Sequence, residues 1–428
     1  MKHLLLISYY FPPDGGAGTQ RAAKLVKWLP SCGWDTTVIT RTPAATRGPW
    51  DPIDEGLLAD VGSARAVVRV PGPEMRRRWI ERITDAARTI MRTQSVDAAL
   101  VTMSPFWLSG LGPPLRKLGL PVVLDLRDPW AFDGWREYRS RWHLSRDRRR
   151  MNAALAAADL VIANTPEAGR VFGDRVPSLR RPPVVVTNGF DPDDAAAIAP
   201  GRRPDGVFRL VHTGTFHCRT LEPDRRLHAR LRVRPRPIDG TGRTPFYLLQ
   251  AIARLRATGD PLGARIRFIH AGLVDDALRR CVDASGVADA VELRGYRPHA
   301  ESVALLQSAD ALFLPLHDLP AGEAARIVPG KLYEYLGVAR PILACLPAGD
   351  ARTWIESSGA GLVTRPTDSD AIATALRRLA AHPVTPDPAW ATRFTRHAIA
   401  RRLAAHLDEL ITPAAPPQPA ASGEVVKC

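Results

Sequence analysis

Lys331 and Glu334 stand three residues apart in Arg326-Ile-Val-Pro-Gly-Lys-Leu-Tyr-Glu-Tyr-Leu336, a spacing that puts an ammonium and a carboxylate on one face of a helical turn. Pro329-Gly330 interrupts any preceding helix, so the helix is expected to begin near Lys331. A helix N-terminus offers unpaired N–H groups and a partial positive charge, which suits a phosphate. Lys331 adds a full charge there, framed by Pro329, Gly330 and Leu332, while Glu334 can accept hydrogen bonds from sugar hydroxyls. The alternative is a solvated i,i+3 pair at an ordinary helix start.

Other stretches carry related chemistry. Gly15, Gly16 and Gly18 fall between an apolar run and a helical pattern, where absent side chains let a ligand approach the backbone. A plain strand-to-helix turn is the competing reading. Asp125-Leu-Arg-Asp-Pro129 ends a strand, so Arg127 and Asp128 are expected to face the crevice at the strand ends, or else to cap the loop as a structural pair. Gly214 and Thr215, in His212-Thr-Gly-Thr-Phe-His217, follow another strand and again permit close backbone approach.

The elements that must position these residues alternate in type. Apolar runs at 3–9, 36–40, 66–70, 97–102, 121–126, 159–163 and 184–187 read as strands, with helical patterns at 18–29, 76–93 and 146–157. Pro200-Gly-Arg-Arg-Pro-Asp-Gly206 is a polar break, and the alternation then restarts. Strands are expected near 208–213, 265–270, 291–294, 311–315, 341–345 and 361–364, with helical patterns at 245–257, 274–284, 299–308, 331–337 and 368–381. The fold class is therefore α/β: two tandem Rossmann-like domains with parallel sheets and a cleft between them. We place the domains at 1–198 and 208–387, joined by a linker at 199–207. Residues 219–243, rich in arginine and proline without periodicity, read as an inserted basic loop that is open to movement. Residues 388–411 read as one amphipathic helix, and 412–428 as a disordered tail.

Composition narrows the class further. Apolar content of 45% and charged content of 24% are those of a globular protein, and no apolar run approaches bilayer length. Five scattered cysteines, none paired at metal-ligand spacing, point to reduced thiols and a cytoplasmic setting. The net charge of +15 admits nucleic acid, an anionic membrane surface or anionic small ligands. Arginines between Arg136 and Arg150, with Trp135, Tyr138 and Trp142, suit a membrane interface or a solvated helix face. No nucleic-acid-binding motif is present.

In order and spacing the chain resembles the retaining GT-B glycosyltransferases of family 4, from residue 2 to about 410 apart from the insertion. The residues that carry the likeness are Leu6-Ile-Ser-Tyr-Tyr-Phe-Pro-Pro-Asp-Gly-Gly-Ala-Gly18, Val123-Leu-Asp-Leu-Arg-Asp-Pro-Trp130 and Ala163-Asn-Thr-Pro166. Val186-Thr-Asn-Gly-Phe-Asp191, His212-Thr-Gly-Thr215, Phe268-Ile-His-Ala-Gly272, Gly295-Tyr296 and Pro329-Gly-Lys-Leu-Tyr-Glu-Tyr-Leu336 complete it. The resemblance implies that the glycine loop faces donor phosphates and acceptor, and that Arg219 or Arg243 grips the diphosphate with Lys331. It implies further that Gly295 and Tyr296 hold the nucleobase and that Glu334 binds the ribose. Arg127 stands where relatives carry a histidine, and Arg326 stands where the first glutamate of a paired-glutamate motif is expected. The branch with Pro-Gly-Lys-x-x-Glu-Tyr is similar in lacking that glutamate.

The expected reaction is transfer of a sugar from a nucleotide diphosphate sugar to an acceptor hydroxyl with retained configuration, with no cofactor and no metal. Asp128 is the candidate to orient or deprotonate the acceptor, with Arg127 and Lys331 beside it. The acceptor is a lipid-linked saccharide or a natural product, with the protein free in the cytoplasm or peripheral at the inner face of the membrane. Competing readings are an epimerase of the same fold, a glycosyltransferase-like subunit without catalysis, and a basic nucleic-acid-binding protein.

Overall fold

The structure is a computed structural model and describes residues 1–43, 53–72, 75–195, 205–222 and 232–412. Linker residues 199–204, insertion residues 223–231 and tail residues 413–428 lie outside the described residues.

Two wholly parallel sheets organise the chain. The first contains β1 (Lys2–Ile7), β2 (Trp34–Arg41), β3 (Ala66–Val70), β4 (Ala98–Met103), β5 (Val122–Leu126), β6 (Leu160–Ala163) and β7 (Val184–Val185), in the order β3-β2-β1-β4-β5-β6-β7. The second contains β8 (Phe208–Thr215), β9 (Ile266–Leu273), β10 (Val291–Leu293), β11 (Ala311–Pro315), β12 (Ile342–Cys345) and β13 (Gly361–Thr364), in the order β10-β9-β8-β11-β12-β13. These are the expected Rossmann-like units. Central strands are uninterrupted apolar runs because helices cover both faces: Leu4, Leu5, Leu6 and Ile7 are all fully buried, divided between two core clusters on opposite sides.

In each sheet the strand order reverses beside the first strand, between β1 and β4 and between β8 and β11. Loops leaving the C-terminal ends of strands at such a point open a crevice. Here those loops carry the glycines after β1 and after β8, so topology alone brings the two stretches to the functional edge. The helices that matter are α1 (Ala17–Trp28), α2 (Arg141–Ala157), α3 (His299–Gln307), α4 (Gly330–Val338) and α5 (Arg396–Ile411).

The expectation of one helix over 388–411 is corrected. The segment is a short turn of helix at Pro388–Ala391, a 3-10 turn at Thr392–Phe394 and then α5. The break has a long-range cause. Phe190 N donates to Phe394 O at 3.0 Å and Arg396 N donates to Phe190 O at 2.8 Å, which pulls Thr395 into an extended conformation. The Thr395 hydroxyl then caps α5 by accepting from Ala398 N. Beyond this crossing Ile399, Ala400, Leu403, Ala404 and Leu407 join the core of the first sheet, and Trp34 Nε1 donates to Asp408 at 2.8 Å.

The insertion also differs from a free loop in its described part. Val233 and Tyr138 exchange backbone hydrogen bonds of 2.9 Å across the two units. Arg234 Nη1 donates to Trp135 O at 2.9 Å, and both Arg232 and Arg234 pair with Glu137. The arginines that give the segment its disordered look are its means of attachment.

Candidate active site

Between the two units lies a cavity of about 370 Å³. Gly16, Gln20, Asn188 and Gly189 line it from the first unit. Gly214, Thr215, Tyr296, His299, Gly330, Lys331 and Glu334 line it from the second, with Arg396 from the returning helix. That volume is in the range of small-molecule sites.

Each wall has a local reason. Gly16 adopts φ +89°, a left-handed conformation that lets the chain leave β1 and enter α1 in one step. Gly214 has φ +129°, and a Cβ there would lie 3.3 Å from Lys331 Cε, so glycine makes room for the lysine. Pro329 stands immediately before α4, leaving the first amides of that helix at the cavity wall. Lys331 Nζ lies 3.1 Å from Glu334 Oε2, the i,i+3 pair anticipated from spacing, and both side chains face the cavity. The apolar partners Leu332, Tyr333, Tyr335 and Leu336 turn to the other side of α4, into the core.

Below Gly214, His212 Nδ1 and His270 Nδ1 are 3.1 Å apart, so one imidazole donates to the other. Burial, with His270 and Lys331 beside it, holds His212 well below the ordinary imidazole range. Burial likewise brings His270 down to about 4, and Phe216 stacks over His212 at 4.2 Å. A neutral aromatic floor thus supports a cationic rim. On the opposite side, the bond to Asp194 at 3.1 Å raises the pKa of His299 above its usual value.

Of the residues singled out from sequence, the cavity brings together Gly16, Gly214, Thr215, Tyr296, Gly330, Lys331 and Glu334. Gly15, Gly295, Pro329 and Leu332 are adjacent supports: Gly15 O accepts from Thr19 Oγ1 at 3.3 Å and Gly295 O from Gly272 N at 2.9 Å. Leu332 is buried in the core. Arg219 is elsewhere. It is 77% exposed, paired with Asp275 at 3.5 Å over a separate groove, which corrects its expected place at the diphosphate. Arg243 lies over Trp135 at 4.7 Å and in the field of Asp128 and Asp133, outside the cavity wall. Arg127 packs behind the glycine loop, where a Cβ on Gly18 would come within 2.6 Å of its Nη1. Asp128 beside it is exposed.

Both units match glycosyltransferase family models. Residues 15–194 match the one described as Glycosyltransferase Family 4, and residues 243–382 match Glycosyl transferases group 1. The structure resembles the sucrose-phosphate synthase of Thermosynechococcus elongatus, with 14% identity, a TM-score of 0.59 and 96% of each chain covered. A UDP-forming α,α-trehalose-phosphate synthase from Burkholderia xenovorans is similar at 14% identity and a TM-score of 0.62, over 96% of this chain and 100% of that one. The trehalose-6-phosphate protein of E. coli bound with UDP-2-fluoro glucose is similar at 12% identity and a TM-score of 0.57, over 96% of this chain and 97% of that one. The fold is GT-B. No curated protein matches the sequence.

Within this GT-B fold Arg326 has a definite job. Its Nη1 donates to Phe132 O at 3.0 Å, and its own carbonyl accepts from Thr165 Oγ1 at 3.1 Å, so position 326 ties the two units together outside the cavity. Glu323 nearby pairs with Arg236 at 3.1 Å. Sequence reasoning passed over Arg396, His299, Gln20 and the buried Arg21–Asp125 pair. Asn188 and Gly189 were within a stretch already noted for its resemblance. Arg396 and His299 had no local signal: each is the first residue of its helix, and only the tertiary packing of that helix brings it to the cavity. Of the aromatics near Arg136–Arg150, Tyr138 is buried with its hydroxyl on Asp147 at 2.8 Å, Trp135 is held between Arg243 and His217, and Trp142 is 58% exposed. Among the described residues no helix is long and apolar enough to cross a membrane, and no group of three or more His, Cys, Asp or Glu side chains could hold a metal ion.

Proposed function

We propose that the protein transfers a glycosyl group from a nucleoside diphosphate sugar to an acceptor hydroxyl, with retained anomeric configuration and without a metal ion. One observation carries this reading: Lys331, the first amides of α4 and two glycine loops converge on one cavity between two Rossmann-like units. The bond from the anomeric carbon to the diphosphate oxygen breaks, and negative charge grows on the leaving group. Lys331 and the helix N-terminus stabilise that charge. The acceptor oxygen bonds to the anomeric carbon on the face the diphosphate leaves, and its proton passes to the departing phosphate. Glu334 accepts from the ribose hydroxyls and Tyr296 packs beside the base. Asp128 orients the acceptor hydroxyl, with Arg127 and Arg243 setting the charge around it. Holding both substrates in register is the protein's main contribution.

The acceptor is a lipid-linked saccharide or a natural product. The arginine-rich α2 with its exposed Trp142 supports contact with an anionic membrane surface from the cytoplasmic side. The test is incubation with UDP-, GDP- and dTDP-sugars in EDTA, followed by NMR of the anomeric proton in the product. Retained configuration in a transferred or hydrolysed sugar supports the reading. An inverted product, an epimerised donor, or no turnover of any donor sinks it.

A further inference from the structure

Arg396 opens α5, and only 9% of it is exposed. Its backbone N–H is engaged by Phe190 O at 2.8 Å, but among the described residues its guanidinium makes no hydrogen bond, ion pair or ring contact. Its five N–H donors, with no protein acceptor among the described residues, are open to a partner from the cavity side. Arg396 lines the same cavity as Lys331 and Glu334, and its charge is close enough to interact with that of Glu334.

We propose that Arg396 takes Glu334 as its partner when a nucleoside diphosphate draws Lys331 away. This rests on reading the cavity as a nucleotide site. Lys331 has one strong partner in this structure, Glu334 at 3.1 Å. A diphosphate at the start of α4 offers more negative charge than one carboxylate, and the flexible lysine stem can swing to it. Glu334, with a side chain only 15% exposed, would then hold a charge with no counter-ion.

The groups that face Glu334 leave one candidate to replace the lysine. His299 on α3 is committed to Asp194 at 3.1 Å. Lys24 on α1 is held by Asp60 and Asp191, each at 2.9 Å. Asp194 has the wrong sign. Arg396 carries the right charge, is not otherwise engaged among the described residues, and sits on the helix that returns to the first unit. The exchange therefore couples nucleotide binding in the second unit to the segment that bridges both. Arg396 is a positioning residue in this scheme: it acts through Glu334 and leaves the sugar to others.

The experiment is calorimetric titration of UDP and GDP into the wild-type chain, R396Q, R396K, E334Q and R396Q/E334Q, with each variant's melting temperature measured beforehand. R396Q is expected to weaken binding about tenfold or more, and R396K to keep most of the affinity. In the E334Q background, where a neutral amide needs no counter-charge, adding R396Q should change affinity by less than about twofold. Equal weakening in both backgrounds would overturn the exchange, since Arg396 would then touch the nucleotide or merely support the fold. Should R396Q fail to fold, the comparison of E334Q with the double variant and of wild type with R396K still decides. If the wild type binds neither nucleotide, the reading of the cavity falls first. If it binds and R396Q is unaffected, the exchange alone falls.

Discussion

Arg21 grips Asp125 with two hydrogen bonds, Nε to Oδ2 at 2.8 Å and Nη2 to Oδ1 at 2.7 Å, with both side chains almost fully buried. The same guanidinium donates to Val186 O and Thr187 O, so one arginine on α1 fastens the end of β5 to the segment that leads into the cavity wall at Asn188. Breaking such a pair strands a charge. Asp125→Asn is therefore expected to lower unfolding free energy by about 3–5 kcal/mol, measured by urea denaturation. A loss below about 1 kcal/mol would mean that the pair is not what fastens this edge.

Gly214 is the second place where geometry makes a quantitative demand. Alanine there must adopt φ +129° and push against Lys331 Cε at 3.3 Å. We expect Gly214→Ala to cost about 1–3 kcal/mol of stability through backbone strain. Affinity for UDP or GDP should fall as well, because the lysine is displaced. Unchanged nucleotide binding with the stability loss would remove Lys331 from the site.

The buried histidines set the acid limit of the fold. Burial and the arginines Arg243, Arg236 and Arg234 bring His317 down to about 3, and burial beside Arg243 brings His217 to about 4. A base whose folded pKa is lowered contributes stability that is complete above its unfolded value, near 6.5, and is lost as pH falls through 6.5 toward 4. His299 has the opposite sign. Its raised pKa gives stability that is present below pH 6.5 and lost as pH rises through the folded value. Melting temperatures across pH 4–8 should show the wild-type advantage over His317→Gln shrinking in acid, and that over His299→Gln shrinking in base.

The attachment of the insertion gives a local prediction. Val233→Pro removes the N–H that donates to Tyr138 O at 2.9 Å. Loss of one such bond should speed hydrogen exchange of the Tyr138 amide, which donates to Val233 O at 2.9 Å, about fivefold, with little change in global stability. Unchanged exchange would show that the arginine contacts to Glu137 suffice.

Much of this fold was legible because parallel strands announce themselves as unbroken apolar runs, as in Leu4–Ile7 and Ile342–Cys345. The glycine loops and Pro329-Gly-Lys331 were legible for the same local reason: turns and helix starts are written in a few adjacent residues. What sequence could not reveal was long-range pairing. Nothing near Thr395 indicates that Phe190 will break the terminal helix, and nothing near Arg234 says that its partner is the carbonyl of Trp135. Arg219 and Arg243 look equivalent in the sequence. The structure sends one to Asp275 and the other to Trp135, a distinction made by tertiary contacts alone.

The central claim is that the cavity at Lys331 takes the diphosphate of a nucleotide sugar. Thermal unfolding of the wild type and Lys331→Met with UDP, GDP, dTDP and their sugars tests it most directly. At a ligand concentration one hundred times Kd, binding should stabilise the wild type by about 2.7 kcal/mol, a clear rise in melting temperature, and should leave Lys331→Met nearly unmoved. No rise with any of these ligands, or an equal rise in both proteins, would contradict the account.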